Sequence, residues 1–116
     1  MTKSEEKYNE LMMGMKDLGS HIPETLISFN KMHQAIVRDE KLSHQTKELI
    51  ALGISIAIRC EGCIIAHTKE AMEKGATIDE ISETIGVSVM MGGAPSIVYG
   101  IKALTAMKEF LVAKGN

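Results

Sequence analysis

Residues Leu49 to Ile58 form the longest apolar stretch of this 116-residue chain, interrupted only by Gly53 and Ser55. Ten residues fall well short of the roughly 20 that a membrane span needs, so the segment must be sheltered by protein. As a helix it would be apolar on nearly every side, and such a helix is buried on nearly every side. In a chain of five to six helices, that requirement points to contact between copies as well as to packing within one copy.

The punctuation around this segment predicts an all-α fold in one domain spanning residues 1–116. A first helix is expected over Ser4 to Leu18, where Leu11, Met15 and Leu18 recur at helical spacing and Gly19 serves as the stop. Pro23 suits the first turn of a second helix, which reaches Val37 and gives way at Arg38-Asp39-Glu40-Lys41. Ser43 caps the third, whose polar opening His44 to Glu48 leads into the apolar run. A fourth is expected from Gly62 to Lys74, ending at Gly75. Thr77-Ile78-Asp79-Glu80 matches a capping box that opens a fifth, Ile78 to Met91. After the break at Gly92-Gly93-Ala94, Pro95 begins a last helix with Ile97, Ile101, Leu104, Met107 and Leu111 on one face.

Composition narrows the function classes. Thirteen basic against fifteen acidic side chains, mixed along the chain, present no footprint for nucleic acid, and two Phe, two Tyr and no Trp offer no stacking platform for single strands. Two cysteines cannot build a disulfide framework, and no charged start runs into an apolar leader, so a thiol-reducing cytoplasmic setting is expected. Among the nine methionines, Met12, Met13, Met15, Met90 and Met91 could line a substrate hollow, or simply fill core and interface.

The chemistry concentrates at Cys60-Glu61-Gly62-Cys63, with His67 four residues on. On a helix these three side chains fall within about 60° of one another, so a dithiol and a base share one face. Two sulfurs at this spacing can close a disulfide across one turn, and the imidazole can take a proton from the nearer thiol. Cys63, at a helix start beside an imidazole, is the better nucleophile, and Cys60 would resolve its sulfenic acid as a disulfide without a bound cofactor. Two alternatives stand beside this. A metal would find three ligands in Cys60, Cys63 and His67 and no obvious fourth, whereas structural zinc takes four; or the thiols are buried and inert. Glu48, the last charge before the apolar run, is either carried into the interior with its pKa raised by desolvation, as a proton carrier, or left solvated beside Lys47. His21, His33 and His44 read as bland.

Leu42-Ser43-x-x-Thr46-Lys47-Glu48-Leu49-Ile50-x-Leu52, then Cys60-Glu61-Gly62-Cys63-Ile64-x-x-His67, then Gly75-Ala76-Thr77-x-x-Glu80-Ile81 together resemble the carboxymuconolactone decarboxylase superfamily in its alkylhydroperoxidase (AhpD-like) branch. The resemblance covers about Leu42 to Gly93. It implies a helical fold that assembles into trimers or hexamers, with a peroxidase or disulfide-reductase site on paired thiols. By that resemblance Cys63 is the peroxidatic cysteine, Cys60 its resolving and proton-donating partner, and Glu48 and His67 belong to a proton relay. One position departs from the branch: where its members can carry a further histidine just before the second cysteine, this chain has Gly62, which shortens the relay.

The leading expectation is therefore an enzyme that reduces hydroperoxides or a partner disulfide by cycling Cys60 and Cys63. No dinucleotide fingerprint or flavin platform is present, so the reductant is external: a thioredoxin-like protein, a lipoyl group or another dithiol carrier. Lactone decarboxylation and a non-catalytic oligomeric scaffold are the alternatives.

Overall fold

The computed structural model describes residues 1–114 and consists of six helices: α1 Lys3–His21, α2 Pro23–Ile36, α3 His44–Ala57, α4 Glu61–Glu73, α5 Ile78–Gly92 and α6 Ala94–Ala113. No strand occurs among the described residues. Each start has a local cause. Thr2 caps α1 and Thr77 caps α5 in reciprocal boxes with Glu5 and Glu80, and Ser43 accepts a hydrogen bond from the Thr46 amide at the head of α3. Prolines at the second and first positions open α6 and α2.

Two expected stops differ. α1 does not end at Gly19 but runs to His21, because a helix tolerates one glycine while the residue before proline is driven out of helical space; Ile22 takes φ −132° and ψ 66° ahead of Pro23. At the end of α5 the helix continues through Gly92, and Gly93, at φ 73°, makes the break.

α3, α4, α5 and α6 pack against one another around a core of Leu52, Ile56, Ile64, Ile81, Ala103 and Met107. α1 lies across α4 and α6, and α2 packs chiefly on α1, burying none of its own residues. The radius of gyration, 14.3 Å, slightly exceeds the roughly 13 Å of a fully compact chain of this length, as a protruding α1–α2 hairpin would make it. No described helix is long and apolar enough to cross a membrane.

One predicted face is corrected. The buried face of α6 is Ser96, Gly100, Ala103, Ala106, Met107 and Phe110, while Ile97 and Ile101 point outward. Small residues let the helices approach closely: a Cβ on Gly100 would run into the Ile85 side chain of α5. α3 is not covered on all sides within one chain, as expected for a helix this apolar in a chain this small. It buries Glu48, Leu52, Ser55 and Ile56 but leaves Ile50 and Ile54 about half exposed, and Ile58 just beyond it more so. Between α3 and α5 this uncovered side opens into an apolar hollow of about 400 Å³ lined by Leu49, Ile50, Ile54, Val87 and Met91 among others. Of the five methionines considered for a substrate hollow, only Met91 lines it, and Cys60, Cys63, Glu48 and His67 do not reach it.

Candidate functional site

The turn between α3 and α4 is the framework of the site. α3 ends in a Schellman arrangement, with the Cys60 amide donating to the Ser55 carbonyl at 3.0 Å and the Arg59 amide to Ile56 at 3.1 Å. The position that normally holds glycine holds Arg59, at φ 60°. A non-glycine residue there carries a conformational cost of about 1 kcal/mol. Cys60 both closes α3 and caps α4: its sulfur accepts from the Cys63 amide at 3.3 Å. It therefore lies just outside the helix rather than on a helical face, and Cys63 is the third residue inside. Their Cα atoms are 5.2 Å apart and the sulfurs are joined as a disulfide.

Glu61 sits between the cysteines at the positive end of α4. A carboxylate here would oppose a thiolate, but Lys7 at 2.9 Å and Lys102 at 3.2 Å offset its charge. The Lys7 hydrogen bond, then that of Lys102, holds the Glu61 carboxyl below the usual carboxylate range. The helix end then contributes its partial positive charge to the sulfurs largely unopposed.

One turn into α4, His67 meets Glu48 of α3. Glu48 is 1% exposed, which decides between its two readings in favour of the interior. Its oxygens are divided between two imidazoles: Oε1 lies 2.7 Å from His67 Nδ1 and Oε2 lies 2.8 Å from His44 Nε2. The expected rise in its pKa does not occur. Burial pushes the value up, but hydrogen bonding with His67, then Glu70, then His44, together with the charge on His67, outweighs it and holds the carboxyl at about 2. The reciprocal effect falls on His67, where the hydrogen bond to Glu48, with Glu70 close by, overcomes burial and raises the imidazole to about 9. At neutral pH the pair is a carboxylate and an imidazolium, so His67 is loaded with a proton rather than ready to take one. In this disulfide state no hydrogen bond joins His67 to either sulfur among the described residues.

The structure also brings in residues that sequence reasoning passed over. His44 and His33 are not bland: His44 holds Glu48, and His33 Nε2 lies 3.7 Å from Glu70 Oε2. Glu70, one turn beyond His67 on α4, places the same oxygen 3.6 Å from His67 Nδ1. The signal for two of these was in the spacing. His44 and Glu48 are four apart, and His67 and Glu70 three apart, so each pair shares a helix face. Only the fold brings His33 of α2 to them. His21 remains apart, near Asp17 on an exposed helix end.

Comparison with known proteins bears on the family and the fold. The profile of the carboxymuconolactone decarboxylase family matches residues 23–106. An uncharacterized protein of Cupriavidus necator is 32% identical over 87 residues, which covers 75% of this chain and 77% of the relative. An uncharacterized protein of the cox locus of Paracoccus denitrificans is 31% identical over 91 residues, 78% and 79% of the two chains. Among solved structures, an apo form of a carboxymuconolactone decarboxylase family protein from Legionella pneumophila superposes with a TM-score of 0.89 at 35% identity, covering 93% of this chain and 96% of the other. A Thermotoga maritima protein of the same family, described as a candidate participant in an antioxidative response, gives 0.83 at 27% identity over 93% and 92%.

Proposed function

The chain belongs to the carboxymuconolactone decarboxylase family, and on that premise we propose that it is a thiol-dependent oxidoreductase that reduces a hydroperoxide or a partner disulfide through Cys60 and Cys63. The observation that carries this reading is the sulfur pair itself, close enough to bond, at the start of a helix and one turn from a protonated imidazole.

In the peroxide reaction the Cys63 thiolate attacks the terminal peroxide oxygen. An S–O bond forms, the O–O bond breaks, and the alkoxide leaves as alcohol after taking a proton. His67 is the group charged to supply that proton, and Glu48 holds it in place and keeps it positive. Cys60 then attacks the Cys63 sulfur, the disulfide forms and water leaves. An external dithiol carrier, protein or lipoyl, takes the oxidising equivalents and becomes a disulfide itself. The cycle needs a thiol-reducing compartment, which the cytoplasm supplies. The Thermotoga relative's description is of the same kind.

Self-association belongs to this reading. Ile50 and Ile54 on α3, with Val87, Met90 and Met91 on α5, are apolar and exposed in the single chain. A second copy would cover them, with a trimer or hexamer as the expected assembly.

The test is thiol counting under mild peroxide. Reduced protein should lose two thiols per chain, yield an intramolecular disulfide, and recover with a dithiol. In Cys60→Ser, a sulfenic-acid probe should label Cys63. Labelling of Cys60 in Cys63→Ser, with none on Cys63 in the converse variant, would reverse the roles. Thiols that ignore peroxide and disulfides alike would end the proposal.

A further inference from the structure

Glu70 Oε2 is shielded from solvent and has no hydrogen-bond partner. Its ion pairs with the neighbouring imidazoles offset its charge but leave its hydrogen-bonding capacity unused. Its neighbours stand at an unusual separation: His33 Nε2 at 3.7 Å and His67 Nδ1 at 3.6 Å, too far to hydrogen bond. Donors sharing a metal ion, each about 2.1 Å from it, stand roughly 3.0–4.2 Å apart, depending on geometry. One donor atom each from His33, Glu48 and Glu70 lies within 4.8 Å of the others. That span exceeds the upper separation by about half an ångström, a distance that small side-chain rotations cover.

We propose that His33 of α2, Glu48 of α3 and Glu70 of α4 form a binding site for a divalent first-row transition ion. The donor set selects the class. Two carboxylates and an imidazole suit zinc, cobalt, iron or manganese, whereas magnesium and calcium take oxygen ligands. Glu48 has the support that ligating carboxylates usually have, since each of its oxygens is hydrogen-bonded to an imidazole and retains a free lone pair. The ion would complete the unpartnered Glu70 oxygen and tie α2, which packs chiefly on α1, to the α3–α4 pair. No sulfur takes part. The site shares Glu48 with the proposed thiol chemistry but does not rest on it.

The experiment uses the full chain in its disulfide form, with absence of free thiols verified, so that Cys60 and Cys63 cannot hold metal. Zn²⁺ is titrated in competition with a chromophoric chelator, and folding of each variant is followed by circular dichroism. The expected result is one zinc per chain, at least tenfold weaker binding in His33→Ala and in Glu70→Gln, no change in His21→Ala, and no displacement by millimolar Mg²⁺. Oxidised protein that binds no zinc would overturn the proposal. So would zinc binding that is equally tight in wild type, His33→Ala and Glu70→Gln, or that yields to Mg²⁺. Neither result bears on peroxide turnover, which is measured on the reduced protein without metal.

Discussion

Replacing Glu48 by Gln removes one negative charge while keeping the side chain's size, and His67 is where the effect should be read. The wild-type imidazole titrates near 9 against an ordinary 6.5, chiefly because of the Glu48 carboxylate 2.7 Å away. That difference corresponds to about 3 kcal/mol of preference for the charged form, at about 1.4 kcal/mol per pH unit. Glu48 and His67 are both largely buried, so the interaction is weakly screened. In Glu48→Gln the His67 pKa should fall toward 6.5, stopping somewhat above it because Glu70 remains 3.6 Å away. The sign with pH follows by linkage. His67 has a raised folded pKa, so its contribution is fully present below about 6.5 and is lost as pH rises through about 9. Glu48 has a depressed one, so its contribution is present above about 4.5 and is lost as pH falls toward about 2. The two describe one interaction and are not summed. The variant should therefore be less stable between pH 4.5 and 6.5 by about 3 kcal/mol minus the share that Glu70 still supplies, with the gap closing on either side. Urea denaturation across pH measures the gap, and an NMR titration of the four histidines, with a His67 variant for assignment, measures the pKa. A His67 that still titrates near 9 without Glu48, or an unchanged urea midpoint at pH 6, would refute the electrostatic account of the pair.

Gly100→Ala should destabilise by roughly 1–3 kcal/mol because its Cβ meets Ile85, whereas Gly14→Ala, with nothing within 4 Å of the added carbon, should stabilise by about 0.5–1 kcal/mol; urea midpoints give both signs. Arg59→Gly should be more stable than Arg59→Ala by about 1 kcal/mol, since only glycine occupies φ 60° without steric cost, and equal midpoints would remove the argument for strain at this turn. Light scattering should return a multiple of the chain mass at micromolar concentration, and Ile54→Glu, which puts a charge on the exposed apolar side of α3, should shift it toward a single chain; a wild-type monomer with intact helicity would contradict self-association.

Local signals carried most of the architecture. Thr77 with Glu80, Ser43, the prolines at 23 and 95, and Gly75 mark helix ends through interactions within a few residues, and such interactions are legible wherever the chain goes. The pairing of Cys60 with Cys63 is legible for the same reason, since three residues of separation bring the sulfurs together in nearly any turn at a helix start. What the sequence could not determine is which face of a helix finds a partner. On α6 the larger residues looked like the core face, but the fold chose Gly100, Ala103 and Ala106, because close helix approach depends on what the neighbouring helix offers. Glu48 shows the same division at the site. Its place at the head of the apolar run left burial and exposure both open, and the fold decided for burial and also for the direction of its pKa. Desolvation is a property of the position, whereas the two imidazoles that reverse its effect come from the same helix and from another one. The approach of His33 to Glu70 lies further still from local pattern, because 37 residues separate them and only the packing of α2 on α1, and of α1 on α4, brings an imidazole to that oxygen.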